Sequence, residues 1–285
     1  MGSMDISTWL KHATKQLKDV GITTNRLDAE LLLSHTLRKP RTYLHAHLDE
    51  IIDPRREQIA DARLQLRQER VPLAYITGHK EFYGRMFKVS PATLIPRPES
   101  EDIIETLLAA TSDEITPKTL VDVGTGSGAL AITAKLERPH LRVIASDIST
   151  KALAVAKANA TSYQADVLFR SMSLLNEHAG TIDYLIANLP YVDATWDDTS
   201  PELQHEPTEA LYAEEAGLAL IYKLLPQIDR WLAQDGLALL EADPSQHEAI
   251  IKKASQHALV QVQTKGYCLA LARPRSQLKS EEIAQ

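Results

Sequence analysis

Cysteine is almost absent: Cys268 is the single thiol among 285 residues. One thiol cannot close an internal disulfide, which fits a reducing cytoplasm, and the apolar "GYCLALA" around it reads as core. Long apolar runs are missing as well. No stretch approaches the roughly 20 residues that span a bilayer, and the N-terminus lacks the basic-then-apolar layout of a signal peptide. A cytoplasmic protein without membrane association is therefore expected. An excess of positive charge is also absent. A formal net charge of -7 argues against a surface that grips nucleic acid by neutralising phosphates, so no direct nucleic-acid binding is expected and a protein partner is easier to accommodate. Internal repeats, low-complexity segments, a Ser-His-Asp set and paired carboxylates are not found. The nearest thing to a metal cluster, His45, His47 and Asp49 in "LHAHLDE", lacks further ligands at usable spacing and is better explained by solvated helix positions, so no metal is expected.

What is present divides the chain. The opening Met1-Gly2-Ser3-Met4 has the look of a cloning remnant, with Met4 as the natural start. Residues 1–71 carry helical spacing and read as a small bundle for docking or support. Trp9, Leu10, Ala13, Leu17 and Val20 form one face, as do Leu27, Leu31 and Leu37 after the capping candidates Thr23 and Thr24. In "DPRREQIADARLQLRQER", Asp53 is an N-cap candidate, Pro54 takes the first helical position, and Ile59, Ala62 and Leu66 share a face. From Pro72 to residue 96, "PLAYITGHKEFYGRMFKVS" mixes aromatic and β-branched residues with Gly78 and Gly84, which predicts short strands or a hairpin joining two domains. Residues 97–285 read as a catalytic domain. Pro98 and Glu99 open a helix with Ile103, Ile104, Leu107 and Leu108 on its apolar face. Beyond residue 117 the runs "TLVDV", "LRVIAS", "DVLF", "YLIAN", "LALLEA", "LVQVQT" and "YCLALA" alternate with helical stretches. That alternation predicts an α/β fold, a mostly parallel sheet with helices on both faces. Lys265-Gly266 joins the last two runs as a hairpin, which slots an antiparallel strand into the sheet, and the polar tail "RPRSQLKSEEIAQ" is expected to be mobile at its end.

Two features suggest a nucleotide-like ligand. "LVDVGTGSGALAITA" sets Gly124, Thr125, Gly126, Ser127 and Gly128 between a strand and a helix starting near Ala129. Glycines permit a tight turn and close ligand approach, and a helix N-terminus offers N–H groups and a favourable dipole. Asp147 closes the second strand in "VIASDIS", where a carboxylate can accept hydrogen bonds from both ribose hydroxyls of an adenosine. Capping of the next helix is the plainer role for Asp147. Loop and acid together point to an adenosine cofactor, and they leave NAD and S-adenosylmethionine both open.

The fourth strand ends in "IANLPY". In an open parallel sheet the ligand crevice lies beyond the carboxyl ends of the strands, which places Asn188 near the glycine loop. Its side-chain oxygen can accept from an amino or amide NH2 and a neighbouring backbone carbonyl can take the second hydrogen. Pro190 stiffens the turn, and Tyr191 offers a flat face to a planar group. Such a site orients a planar nitrogen nucleophile, so the reaction that follows is methyl transfer by orientation and electrostatics, with no strong base required at the outset.

With "PLAYITGHKEFYG", "LIPRPESE", "DVGTGSGALAI", "NLPY", "HEPTEAL" and "LLEADPSQ" in this order, nearly the whole chain resembles the PrmC/HemK family, the glutamine methyltransferases of translation release factors. The resemblance implies a seven-stranded class I, Rossmann-like S-adenosylmethionine-dependent methyltransferase domain behind an N-terminal helical bundle. It further implies an enzyme whose partners are release factors, methylated on the glutamine of their Gly-Gly-Gln tip. Carried over, Gly124 to Gly128 wrap the methionine end of S-adenosylmethionine and Asp147 its ribose; Asn188 and the carbonyl of Leu189 hold the substrate amide, with Pro190 and Tyr191 completing the catalytic turn. Leu189 stands where the family usually has a second proline, Ser173 or Met172 where it tends to carry an acid for the adenine amino group, and Ser100 where it has threonine. Arg97 and Glu101 lie in a family motif with no chemistry assigned. Three other readings stay open: an rRNA adenine N6-methyltransferase, which also carries Asn-Leu-Pro-Tyr; a ribosomal-protein glutamine methyltransferase; and an inactive scaffold.

Overall fold

The structure is a computed structural model describing residues 4–193, 195–196 and 200–274. The presumed remnant at residues 1–3 and the end of the polar tail, from 275 onward, lie outside the described residues. The chain forms two compact units, Met1–His79 with Ser200–His205, and Lys80–Thr199 with Glu206–Gln285.

The first unit is helical: α1 Ile6–Asp19, α2 Asn25–Leu37, α3 Arg41–Ala46, α4 Pro54–Gln68 and α5 Leu73–Thr77. Asp5 and Asp53 cap α1 and α4 by accepting backbone N–H groups of the first turn, satisfying donors that have no partner within the helix. Trp9, Leu10, Ala13 and Leu17 are buried as their spacing predicts, whereas Val20 ends α1 at the surface. Two expected faces are corrected. In α2 the buried apolar residues are Ala29, Leu32, Leu33 and Leu37, while Leu27 is exposed; Thr24 occupies the N-cap without a side-chain hydrogen bond. In α4 the buried residues are Ala60, Leu64 and Arg67, with Ile59 and Leu66 exposed. The reason is that the interior of this unit contains charge: Arg67 donates to Asp28 at 2.7 Å, both side chains being buried, and to Glu202 at 3.0 Å. A third difference is α5, which lies inside the stretch expected as strand. Leu73 and Ile76, three apart, pack on the helical core, and Gly78 ends the helix at φ +75°. The hairpin itself follows, β1 His79–Phe82 and β2 Arg85–Lys88. Of the histidines, His45 faces Glu30 and His47 stacks on Tyr43.

The second unit contains α6 Glu101–Ala110, β3 Thr119–Val123, α7 Ala129–Glu137, β4 Arg142–Asp147, α8 Thr150–Tyr163, β5 Val167–Ser171, β6 Ile182–Ala187, α9 Thr208–Leu211, α10 Ala219–Trp231, β7 Leu232–Glu241, α11 His247–Ala254, β8 Val260–Lys265 and β9 Cys268–Ala272. The strand order is β5-β4-β3-β6-β7-β9-β8; the first five are parallel and β9 runs antiparallel to both neighbours, as the terminal hairpin predicts. Alternation along the strands feeds two cores. Val121, Val123, Leu185, Ala187, Ala238 and Leu240 pack with α10 and α11, while Leu120, Val143, Ala145, Ile186, Leu239 and Ala270 face α6 and α7. This is the seven-stranded, Rossmann-like methyltransferase arrangement, and it gathers the ends of β3, β4, β6 and β7 along one edge.

Candidate active site

That edge holds a cavity of about 320 Å³, within the size range of small-molecule sites. Gly124, Thr125, Gly126, Ser127, Asp147, Ser173, Asn188, Leu189 and Pro190 all line it. Gly128 and Tyr191, expected among the site residues, are not part of the lining.

The three loop glycines have positive φ, which a side chain would resist, yet they differ in what surrounds them. A Cβ on Gly124 would stand 2.9 Å from Leu189 Cδ2, and one on Gly128 would stand 2.9 Å from Ile132 and 3.1 Å from Ala156. These two are fixed by packing. A Cβ on Gly126 would meet nothing within 4 Å, so this glycine leaves room for a ligand. The polar group at the N-terminus of α7 belongs to the chain itself. Asp122, fully buried, accepts from the Thr125 hydroxyl at 2.6 Å and from the Ala131 N–H at 3.2 Å, and its burial raises its pKa to about 7. The loop is thus braced from beneath by an acid that sequence reasoning passed over.

Asp147 Oδ2 accepts from the Gly126 N–H at 2.9 Å and Oδ1 from the Ser149 N–H at 2.8 Å; burial raises its pKa. The helix cap of α8 is Ser149, which accepts from Ala152. A carboxylate has about four acceptor positions, and these backbone donors do not fill them all, so Asp147 keeps acceptor capacity for a hydroxyl donor in the cavity. Met172 and Ser173 line the same cavity, and the Met172 N–H donates to the Asp147 carbonyl at 3.2 Å, tying the end of β5 to that of β4.

Asn188 follows β6 directly and donates its side-chain NH2 to Ser100 Oγ at 2.9 Å. Leu189 is 5% exposed and belongs to the core, its side chain lying under the glycine loop. Tyr191 is partly buried, and its hydroxyl donates to Glu241 Oε1 at 3.2 Å. Burial, reinforced by the Glu241 charge, raises the Tyr191 pKa far above its ordinary value. The Gln246 amide clamps this turn by donating to the carbonyls of Tyr191 and Ala216, both at 2.8 Å. Gly217 lies against it so closely that a Cβ would approach the Tyr191 carbonyl oxygen to 2.0 Å. Beyond the turn, Val192 bridges Tyr212 and donates to the Leu211 carbonyl at 3.0 Å, placing Pro207, Glu209 and Ala210 on the cavity wall.

Arg97 and Glu101 have architectural contacts. Arg97 donates to the buried Glu206 at 2.5 Å, whose other oxygen accepts the Ile95 N–H at 3.0 Å, and Glu101 accepts the Tyr83 N–H at 2.9 Å. The residues missed by sequence reasoning are the buried acids Asp122, Glu206 and Glu241 together with Gln246. Their signal was present in part, since "TLVDV" and "LALLE" each carry an acid inside an apolar strand, where an unpartnered charge is costly. Among the described residues no group of three or more His, Cys, Asp or Glu side chains is arranged to hold a metal ion.

Comparison with known proteins adds identity to geometry. Residues 8–78 match the PrmC N-terminal domain family and residues 100–211 the methyltransferase small domain family. The chain is 39% identical over 241 residues to a release factor glutamine methyltransferase of Koribacter versatilis, spanning 81% of this chain and 86% of that protein. It is 36% identical over 257 residues to the enzyme of the same name from Salmonella typhimurium, spanning 87% and 89%. Among solved structures it resembles the Thermus thermophilus 16S rRNA N2 G1207 methyltransferase in complex with AdoMet and guanosine. That likeness has a TM-score of 0.53 at 14% identity, covers 69% of this chain and 50% of that one, and concerns the fold alone.

Proposed function

The chain belongs to the release factor glutamine methyltransferase family, and on that premise we propose that it transfers the methyl group of S-adenosylmethionine to the side-chain nitrogen of the glutamine in a release factor's Gly-Gly-Gln tip. The observation that carries the reading is that the Asn188–Pro190 turn, the glycine loop and Asp147 line one cavity.

The residues present suit S-adenosylmethionine. Open space at Gly126 admits the ligand to the loop, and the acceptor capacity that Asp147 keeps on the cavity side suits a ribose hydroxyl. Gly124 to Gly128 would hold the methionine end, with Ser173 and Met172 beside the adenosine. When bound, the cofactor supplies an electrophilic methyl on a sulfonium. Asn188 Oδ1 and the Leu189 carbonyl take one amide hydrogen each, presenting the substrate nitrogen with its plane fixed. Pro190 limits the turn's freedom, and Tyr191, held by Glu241, supports it. Held by the loop and Asp147, the cofactor would supply its methyl to that nitrogen and leave as a neutral thioether, the proton released from nitrogen passing to water. The helical unit serves to dock the protein substrate, and a buried lone cysteine fits a cytoplasmic setting.

Incubation with labelled S-adenosylmethionine tests this reading, using a release factor, its Gln-to-Ala tip variant and ribosomal RNA as acceptors. Label is expected in the intact release factor alone. Label in the RNA, or label that persists in the tip variant, overturns it.

A further inference from the structure

Behind the Asn188 turn lies an acid that the reaction as described does not use. Glu241 ends β7 and is 1% exposed. Its Oε1 accepts the Tyr191 hydroxyl, while its Oε2 is sealed from solvent and has no hydrogen-bond partner. Ser100, 3% exposed, and Asn188 are its other polar neighbours, and both draw its pKa down against a larger rise from burial. Ser100 Oγ in turn receives the Asn188 NH2. A buried carboxylate oxygen left without a donor is costly, so a nearby hydroxyl proton has strong reason to point at it.

The directions of these bonds follow from the chemistry of each group. Once Glu241 is ionised, above about pH 7, it only accepts, so Tyr191 and Ser100 then both donate to it. Once the Ser100 proton is committed to Glu241, the Ser100 oxygen has only lone pairs to offer Asn188. Asn188 must then turn its NH2 toward Ser100, as the structure has it, and its Oδ1 is left for the cavity. The opposite setting of the amide would aim a donor at the substrate NH2, where two donors meet and no clamp forms.

We propose that Glu241, together with Ser100, is the positioning residue that fixes which end of the Asn188 amide faces the substrate. This rests on the methyltransferase reading above and adds a specificity device to it: the site selects an NH2 nucleophile because a buried acid two bonds away sets the acceptor outward. Glu241→Gln tests the point. A glutamine can donate to Ser100 through its own NH2, which lets Ser100 donate to Asn188 Oδ1 and releases the amide to flip.

The experiment is a double-mutant cycle on the full chain with a release factor as substrate. Wild type, Glu241→Gln, Ser100→Ala and the double variant are compared by kcat, by KM for the release factor and by calorimetric Kd for S-adenosylmethionine. Each single variant is expected to lower kcat by about tenfold to a hundredfold, the scale of a misplaced reacting group, with cofactor Kd within about twofold of wild type. The double variant should be no slower than the worse single one, and Ser100→Thr, which keeps the hydroxyl, should recover the rate lost in Ser100→Ala. Additive losses, or a Glu241→Gln enzyme as fast as wild type, overturn the proposal. Should Glu241→Gln misfold, Ser100→Ala against Ser100→Thr still decides: equal rates overturn it. Failure of the wild-type protein to label the release factor counts against the function itself, and so is distinguishable from failure of the relay.

Discussion

Leu189 carries two duties that the sequence shows only one of. Its carbonyl is the proposed acceptor for the substrate amide, as the Asn-Leu-Pro-Tyr spelling suggests, while its side chain is buried beneath Gly124. Packing therefore supplies stiffness that a second proline would have given through its ring. Truncation to alanine removes that packing, and Leu189→Ala is expected to lower stability by about 2–4 kcal/mol in urea denaturation. Asn188 is the opposite case, a residue with little core role and a proposed direct contact to substrate. Asn188→Ala is expected to reduce kcat by on the order of 10²–10³ while leaving the calorimetric affinity for S-adenosylmethionine within a few-fold. A nearly wild-type rate would remove the amide clamp from the account. The cavity residues were legible because glycines and a strand-ending Asn-Leu-Pro-Tyr have few structural uses together. Glu241 showed only as an acid in an apolar strand and Ser100 only as a replacement for threonine, because their meaning lies in which neighbours they face where β7 ends beside the start of α6, and no local pattern encodes that.

At the level of elements, the parallel strands were read correctly from short apolar runs, since a strand buried on both faces leaves no other composition open to it. Helix faces in the N-terminal unit were harder. Apolar periodicity nominated Ile59, Ala62 and Leu66, but α4 turns its Ala60, Leu64 and Arg67 inward because Arg67 pairs with Asp28. A buried ion pair hides from any hydrophobic pattern. Leu64→Ala is accordingly expected to destabilise by about 2–4 kcal/mol, whereas Leu66→Gln should change stability by no more than about 0.5 kcal/mol in the same denaturation assay. The Gly217 turn gives a sharper contrast. Gly217→Ala drives a Cβ against the Tyr191 carbonyl and also strains a φ of +82°, so the Asn188 turn must shift, with loss of both stability and transfer. Gly126→Ala meets open space; its fold should survive with a cost of roughly 1 kcal/mol, and weakened cofactor binding by calorimetry is the expected defect.

For the whole molecule, two deeply buried acids set an unusual dependence on pH. Burial raises Asp122 and Glu241 to about 7, well above the ordinary carboxylate range they regain on unfolding. Between the two ranges the folded protein holds protons that the unfolded chain has released, so these groups make stability fall as pH rises from about 4 to about 7. Ordinary surface carboxylates, when paired, act in the reverse sense. Urea midpoints compared at about pH 5 and about pH 8 should therefore show a larger decline for wild type than for Asp122→Asn, which has no proton to lose. An identical decline in both would mean that Asp122 ionises normally within the fold.

The most direct test of the central claim is to locate the methyl group. After reaction with the purified protein and S-adenosylmethionine, the release factor is digested, and the peptide bearing its Gly-Gly-Gln tip is sequenced by tandem mass spectrometry. One added methyl is expected on the side-chain nitrogen of that glutamine, and on the order of a hundredfold less, or lower still, in the same time when Asn188→Ala replaces the wild-type protein. A methyl on any other residue, or an unmodified tip peptide alongside methylated ribosomal RNA, would contradict it.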